Sequence, residues 1–337
     1  MFTKVLNTVS TRKQFSAAAL ALPLITVSAL GFQSIVFAQT FPSKTVTIVV
    51  PTAAGGGNDA MARILSQKMG PLLGQTVIVE NKPGANGAIA AEYVAKAPAD
   101  GHVVLFGYVA THGMNPALQK LKYDPIKDFE PIGLVGYSPT LMVASGTLKE
   151  KDSKSVIAYL KANSGKVSYA SAGNGTAPHF AAELFKMNTG IDMLHVPYKG
   201  SAPAVTDTMA GQTQIMFPSL FTGAPHVKSG KLTAVAIAGD KRSQVLPNVP
   251  TLKELGINGV NVTQWYGLFA PAKTPKAVVQ QLNAAMNKVL NDKAVITQIE
   301  GQGTDVETST PEQFKKLIAD DLAKWKKVVQ TAKLSAD

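Results

Sequence analysis

The sequence contains no cysteine, which excludes disulfide bonds, thiolate nucleophiles and cysteine metal sites. After residue 38 it has no apolar run near the roughly 20 residues that a membrane-spanning helix needs. Its five histidines show neither H-x-x-x-H nor HExxH spacing, and neither Ser138 nor Ser171 lies in a G-x-S-x-G motif. The sequence therefore lacks these usual motifs of metal-dependent and nucleophilic catalysis.

Acidic residues are outnumbered, with 22 Asp and Glu against 33 Lys and Arg and a formal net charge of +11. Lys4, Arg12 and Lys13 supply three of these charges, which leaves +8 after residue 38. The sequence has no basic block with interleaved aromatic residues, so we expect no nucleic-acid partner. The remaining charge is typical of a solvated lysine surface, and it is also compatible with an anionic ligand or membrane surface.

Residues 1–38 resemble a secretory signal peptide. A basic start precedes an apolar stretch over residues 15–29, and residues 36–38 form a small-x-small cleavage box. A membrane anchor is the alternative, but the apolar stretch is short and contains Pro23 and Thr26. We therefore expect export to the periplasm with cleavage after the box, in a compartment where nucleotide cofactors are scarce.

Short β-branched runs alternate with helical patterns, which is typical of an α/β fold. The predicted strands cover residues 45–50, 76–80, 102–107, 167–170, 193–196, 214–217 and 232–238. Apolar residues at helical spacing after the first strand predict a helix that ends at Gly70-Pro71, and residues 88–97 predict another. Thr310 and Gln313 indicate a capping box, with Pro311 opening a long terminal helix.

Five loops between these strands and the following helices are rich in small residues: 51–58, 108–115, 171–178, 197–201 and 218–223. In α/β sheets such loops lie at the carboxyl ends of the strands, where ligands bind. Two of them, in separate parts of the chain, place glycines before a helix, whose N-terminal amides favour anions. An alternative is that these glycines only form tight turns. However, a glycine-rich loop occurs before a helix in two separate parts of the chain, which predicts an anion site.

The first of these loops also satisfies the dinucleotide pattern G-x-G-x-x-[GA] over residues 55–60. That fingerprint needs a tight turn after the strand, whereas residues 51–54 lengthen it here. No Gly-Lys-[Ser/Thr] follows the glycines, so the loop is not a P-loop. We expect no cofactor and no metal site.

Four side chains beside the loops have more than one interpretation. His112 and His179 could contact an anion or donate to a loop carbonyl. Asp59 and Arg63 have the spacing of a surface pair on one helix, and Asp59 could instead cap that helix.

Seven motifs follow one another along the chain. They occupy residues 50–63, 80–87, 97–101, 169–176 with His179, 195–201, 242–251 and 265–271. Together they resemble the Bug family, the extracytoplasmic solute receptors of tripartite tricarboxylate transport systems. The resemblance covers essentially the whole chain after residue 38.

The resemblance implies a two-lobed periplasmic binding protein of type II topology with its ligand cleft between the lobes. Lobe 1 would comprise residues 39–132 and 266–337 and lobe 2 residues 133–265, with crossings near residues 129–133 and 264–267. Such a receptor is a monomer and not an enzyme; it binds a small carboxylate and delivers it to membrane transporter subunits. An exported hydrolase or lyase acting on a small acid is the rival interpretation. A further alternative is a receptor that reports its ligand to a sensor kinase instead of a transporter.

The resemblance, together with the loops, predicts ligand-binding residues on both sides of the cleft. They are Thr52, Ala54, Gly55, Gly56, Thr111, His112, Ser171, Gly173, Gly175, Thr176, Lys199 and Ser201. Position 52 departs from the family pattern, because many relatives carry a bulky aromatic residue after the proline. The smaller threonine implies more room or a polar contact.

Overall fold

The computed structural model describes residues 41–332 and residue 334. The predicted signal peptide, residues 1–38, lies outside the described residues. Within the described part of the chain, none of the helices combines the length and the apolar character needed to cross a membrane.

The first part of the chain alternates strands with helices. Its elements are β1 (Val46–Val50), α1 (Gly57–Leu73), β2 (Val77–Asn81), α2 (Ala88–Ala95), β3 (Val103–Tyr108) and α3 (Asn115–Leu118). A 3-10 turn (Ala85–Gly87) precedes α2, and a π-helical turn (Ala110–Met114) precedes α3. Four of the five β1 residues are buried, as expected for a β-branched strand in a sheet that is covered on both faces.

A long strand, β4 (Phe129–Ser145), leads into the second part of the chain. The elements that follow are α4 (Ser153–Ala162), β5 (Ser168–Ser171), α5 (Ala177–Thr189), β6 (Leu194–Pro197), α6 (Ser201–Met209), β7 (Ile215–Met216), α7 (Leu220–Lys228) and β8 (Leu232–Ala238). The chain then returns through β9 (Thr263–Pro271), α8 (Lys276–Leu290), α9 (Lys293–Glu300), β10 (Asp305–Val306) and α10 (Pro311–Ala332).

The strands form one sheet in the order β2-β1-β3-β9-β4-β7-β5-β6, with β8 and β10 also paired to β4. Strands β1, β2 and β3 are parallel and are called the first half of the sheet below. Strands β5, β6 and β7 are also parallel and are called the second half. The antiparallel strands β4 and β9 lie between the two halves.

The chain passes between the two halves along β4 and β9. Strand β4 pairs with β9 as far as Pro139 and with β8 from Thr140 onward. This change of partner comes later in the chain than the crossing predicted near residues 129–133. Val262, just before β9, donates its N–H to the Ala238 carbonyl of β8. The chain therefore leaves the neighbourhood of β8 and enters β9 close to the crossing predicted near residues 264–267. The predicted lobe boundaries stay a prediction, since the described residues belong to one compact unit.

All seven predicted strands are present, and their ends agree with the prediction to within one residue. The capping box is confirmed: Thr310 donates its N–H to Gln313 Oε1 (2.9 Å), and Gln313 donates its N–H to Thr310 Oγ1 (3.2 Å). The prediction that Gly70-Pro71 ends α1 is wrong, because the helix continues to Leu73. Leu73 is buried, and Gly74 ends the helix in a left-handed conformation (φ 68°) with its N–H donated to the Gly70 carbonyl.

Candidate functional site

A cavity of about 390 Å³ lies where loops from the two halves of the sheet meet. Its wall is built from Pro51, Thr52, Gly84, Ala85, Asn86, Gly87, Tyr108, Gln119, Ala172, Gly173, Asn174, Pro197, Tyr198, Lys199 and Gly200. Most of these residues follow the carboxyl ends of parallel strands, the predicted place for a ligand. Lys199 is the charged residue of the wall, which includes no carboxylate. The size is that of a site for a small molecule, since such pockets measure about 300–1,000 Å³.

The loop after β1 brings Thr52 to the cavity wall, whereas Ala54, Gly55 and Gly56 lie outside that wall. Gly55 donates its N–H to Asp59 Oδ2 at 3.0 Å, so this predicted donor is already engaged. In the part of the chain that the structure describes, the amides of Ala54 and Gly56 donate to no protein acceptor. Gly56 is the N-cap residue of α1, so its amide lies at a helix start, where anions are favoured.

Asp59 holds this loop in place rather than capping α1. Its Oδ2 also accepts from Arg63 Nε at 2.9 Å, and its Oδ1 accepts from Asn81 Nδ2 at 3.0 Å. Burial alone would raise the pKa of Asp59, but the hydrogen bonds from Arg63, Gly55 and Asn81 outweigh it and hold that pKa below the usual range. The predicted pair is present, with Asp59 buried and Arg63 about half exposed.

The turn after β2 contributes four consecutive wall residues with positive φ: Gly84 (124°), Ala85 (45°), Asn86 (55°) and Gly87 (84°). Left-handed backbone is uncommon for residues other than glycine, and asparagine is among those that tolerate it best. Such strained conformations cluster at ligand-binding sites. No ligand contact was predicted for this motif from the sequence; its Asn-Gly pair was the available signal.

Thr111 and His112 are fully buried behind the wall and do not line it. Thr111 Oγ1 accepts from the Tyr108 N–H at 3.1 Å and donates to the Tyr108 carbonyl at 2.9 Å. His112 Nδ1 lies 2.9 Å from the same hydroxyl, and its ring stacks on Phe269 with centroids 3.8 Å apart. Burial lowers the pKa of His112 to about 3, so the ring is neutral. These two residues position Tyr108, which does line the cavity.

In the loop after β5, Gly173 lines the cavity, whereas Ser171, Gly175 and Thr176 hold the loop together. Ser171 Oγ accepts from the Gly173 N–H at 3.0 Å, and Thr176 Oγ1 donates to the Gly173 carbonyl at 2.6 Å. Gly175 donates its N–H to His179 Nδ1 at 3.1 Å. His179 thus accepts a bond from a loop amide, whereas the sequence left open an anion contact or a bond donated to a loop carbonyl.

The loops of the two halves are in close contact around the cavity. Gly175 has a φ of +75°, and a Cβ atom there would lie 2.8 Å from Asn86 Nδ2. A Cβ atom on Gly200 (φ +123°) would lie 3.3 Å from the Ala53 nitrogen. Lys199 belongs to the wall, and Ser201 begins α6 just beyond it. Glycine is therefore required at both positions by its backbone conformation and by the approach of the opposite loop.

Ser171 and His195 have the spacing of a nucleophile and a base, with Ser171 Oγ 2.6 Å from His195 Nε2. However, Ser171 is fully buried and does not line the cavity. His195 is stacked between Tyr169 and His179, at 4.7 and 4.6 Å between ring centroids. Burial, together with the neighbouring His179, lowers the pKa of His195 to about 4, which makes it a weak base at neutral pH. The pair lacks the access and basicity that a hydrolase needs.

In the described residues, no group of three or more His, Asp or Glu side chains could hold a metal ion.

Residues 61–334 match the family model described as the tripartite tricarboxylate transporter family receptor. The chain belongs to this family. BugT of Bordetella pertussis (strain Tohama I) is 33% identical over 314 residues, which cover 92% of this chain and 96% of BugT. The resemblance to Bug receptors is thereby confirmed.

Two solved structures are similar to this receptor over most of its length. The periplasmic binding protein BugD is 35% identical with a TM-score of 0.84, over 88% of this chain and 99% of BugD. MatC from Rhodopseudomonas palustris, solved with bound malate, is 36% identical with a TM-score of 0.82, over 86% of this chain and 100% of MatC. The predicted fold class, a two-lobed α/β periplasmic binding protein of type II topology, is confirmed.

Proposed function

We propose that this receptor binds a small carboxylate in the cavity between the two halves of the sheet and delivers it to the membrane subunits of a tripartite tricarboxylate transporter. The observation that carries this proposal is the charge of the wall, which includes Lys199 and no carboxylate. An anion entering the cavity gains a cation without meeting a like charge. The similar protein MatC was solved with bound malate, a carboxylate.

Within this proposal, residues on both sides of the cavity contact the ligand. Thr52, Gly173 and Lys199 are predicted site residues that belong to the wall. Ser171, Gly175 and Thr176 would act by fixing the conformation of the Gly173 loop, and Thr111 and His112 by supporting Tyr108. Ala54 and Gly56 would reach the ligand only through an intervening water or a small shift of the first loop.

The proposed lobes are those predicted from the sequence, residues 39–132 with 266–337 and residues 133–265. Their cleft would contain the cavity, and β4 and β9 would connect them. The basic and apolar leader supports a periplasmic location, and the similar BugD is a periplasmic binding protein. We also propose that the receptor is a monomer and that it binds its ligand without transforming it, since Ser171 of the Ser171–His195 pair is buried.

Calorimetric titration and thermal unfolding with a panel of carboxylic acids, their amides and their methyl esters test the function. A ligand that binds only the folded receptor stabilises it by about 2.7 kcal/mol at a hundredfold excess over Kd. We expect this stabilisation from acids but not from neutral analogues, and a weaker effect in Lys199→Gln. Lys241→Gln, at a surface position outside the cavity wall, is the matched control. Equal stabilisation by acids and esters would refute the anion site, and conversion of the acid, seen by NMR, would refute pure binding.

A further inference from the structure

Two stacked histidines hold the loop after β5, which contributes Gly173 to the cavity wall, and neither histidine belongs to that wall. Gly175 donates its N–H to His179 Nδ1 at 3.1 Å. Ser171 Oγ accepts the Gly173 N–H at 3.0 Å and lies 2.6 Å from His195 Nε2. The two imidazole rings have centroids 4.6 Å apart and an interplanar angle of 17°. The pair therefore reaches the loop at two points from behind the cavity.

The bond from Gly175 defines the protonation state of His179. A backbone N–H can only donate, so Nδ1 is the unprotonated, accepting nitrogen and the proton of the neutral ring is on Nε2. A protonated imidazole donates from both nitrogens and offers no acceptor. Protonation of His179 would therefore remove this bond and set two N–H groups against each other.

The surroundings of His179 keep its ring uncharged at neutral pH. The residue is 6% exposed, and this burial lowers the pKa of His179; Lys186 on the same helix adds to the effect and Glu183 opposes it. His195, from β6, stacks on the ring, and burial is the main cause that lowers the pKa of His195 to about 4. Tyr169, from β5, stacks on His195 and donates its hydroxyl to Glu183 Oε1 at 2.7 Å.

The Gly175 amide depends on His179 alone. Within the described part of the chain, this N–H donates to no other acceptor. Gly175 is buried, and a buried amide that loses its partner is costly to the conformation that buries it. We therefore expect the loop to leave its present conformation when the bond is lost. Gly173, two residues earlier and part of the cavity wall, would be displaced with it.

We propose that His179 is a positioning residue of the ligand site and that its protonation releases the loop after β5, so that the receptor loses affinity for its ligand in acid. This inference rests on the proposed function, because it concerns the loop that would contact the bound carboxylate. Only the neutral form of His179 holds that loop. Affinity is therefore complete at neutral pH and decreases as the pH falls towards the pKa of His179 in the ligand-free receptor.

Calorimetric titration with the tightest-binding acid between pH 7.5 and pH 4.5 measures this loss. His179→Asn places Oδ1 where Nδ1 lies, so it keeps an acceptor for the Gly175 amide but does not titrate. The Kd of the wild type divided by the Kd of this variant cancels the titration of the acid itself. We expect this ratio to rise about threefold or more from pH 7.5 to pH 4.5.

Two further variants separate positioning from a general effect of the substitution. His179→Leu removes the acceptor and should raise Kd about tenfold at pH 7.5, whereas His179→Asn should bind there as the wild type does. His226→Asn removes an imidazole on α7, outside the cavity wall, and is the matched control, which should keep the wild-type pH profile. Circular dichroism at each pH shows that the proteins are folded, and if His179→Leu does not fold, the comparison with His179→Asn decides.

NMR of the ligand-free receptor tests the contact without any acid. The Gly175 amide signal should titrate together with the His179 ring in the wild type and should not do so in His179→Asn. Parallel pH profiles of Kd for the wild type and His179→Asn would overturn the proposal, as would full affinity in a folded His179→Leu. Absence of binding by every acid at every pH would instead refute the proposed function, and the NMR titration would then decide whether His179 holds the loop.

Discussion

Replacing Gly175 by alanine would place a methyl group where the loops of the two halves of the sheet meet. The new Cβ atom would lie 2.8 Å from Asn86 Nδ2 and 3.3 Å from both Asn115 Oδ1 and Leu118 Cδ2. The backbone at Gly175 has a φ of +75°, which costs a residue with a side chain about 1–2 kcal/mol. Asn86 is itself fixed in a left-handed conformation, so it cannot easily move away.

Gly190 provides a matched control for the backbone term. It has nearly the same conformation, with a φ of +70°, and a Cβ atom there would meet nothing within 4 Å. The left-handed backbone should therefore cost both alanine variants about 1–2 kcal/mol of unfolding free energy. Only Gly175→Ala should also displace Asn86 and hinder the approach of the two loops. We expect its Kd to rise about tenfold or more, which corresponds to at least ~1.4 kcal/mol.

Urea denaturation gives the unfolding free energies, and calorimetric titration gives the affinities. Gly175→Ala should lose at least as much unfolding free energy as Gly190→Ala, because of its added contact with Asn86, and only Gly175→Ala should lose affinity. The reasoning would be refuted if Gly175→Ala bound the ligand as tightly as the wild type. It would also be refuted if Gly190→Ala, which lies far from the cavity wall at the end of α5, lost affinity to the same extent.

Three further predictions concern other residues of the receptor. Thr52→Phe should weaken binding of bulky acids most, since overpacking a fitted site costs about 1–3 kcal/mol; equal changes across a size series of acids, measured by titration, would exclude Thr52 from the pocket. Burial lowers the pKa of His112 to about 3, so near pH 5 the unfolded chain binds a proton at this residue that the folded protein does not bind. The unfolding free energy should therefore be about 2 kcal/mol lower at pH 5 than at pH 7. The partly exposed His195 should add a smaller decrease. An unchanged urea midpoint between these pH values would contradict this. Thr310→Ala removes the capping hydroxyl of α10 and should cost about 1 kcal/mol in thermal or urea unfolding, whereas no loss would show that the box contributes nothing.

Local signals account for the parts of the fold that the sequence predicted well. Strand β8, for example, is a continuous run of apolar and β-branched residues, and its bounds agree with the prediction. Strand β4 was not predicted, because prolines and glycines interrupt it and its register shifts between Pro131 and Gly133 and again between Leu134 and Gly136. Its conformation is stabilised by pairing with strands far away in the chain, which no local pattern records. The extension of α1 beyond Pro71 likewise depends on the burial of Leu73.

The structure brings together loops that the sequence singled out for the site, but the contacts of individual atoms were not predictable. The loops after β1, β5 and β6 do meet at a cavity, because the carboxyl ends of parallel strands share one edge. The sequence could not show that the Gly55 amide is taken by Asp59 or that the Gly175 amide is taken by His179. Asn86 was missed because its role depends on a left-handed conformation and on a contact with the opposite loop.

A crystal structure of the receptor with the acid that binds most tightly in the titrations tests the central claim most directly. We predict that the ligand occupies the cavity between the two halves of the sheet, with a carboxylate near Lys199 and contacts to the loops after β1, β2, β5 and β6. A ligand bound outside that wall, with the cavity between Thr52 and Gly173 unchanged, would contradict the account.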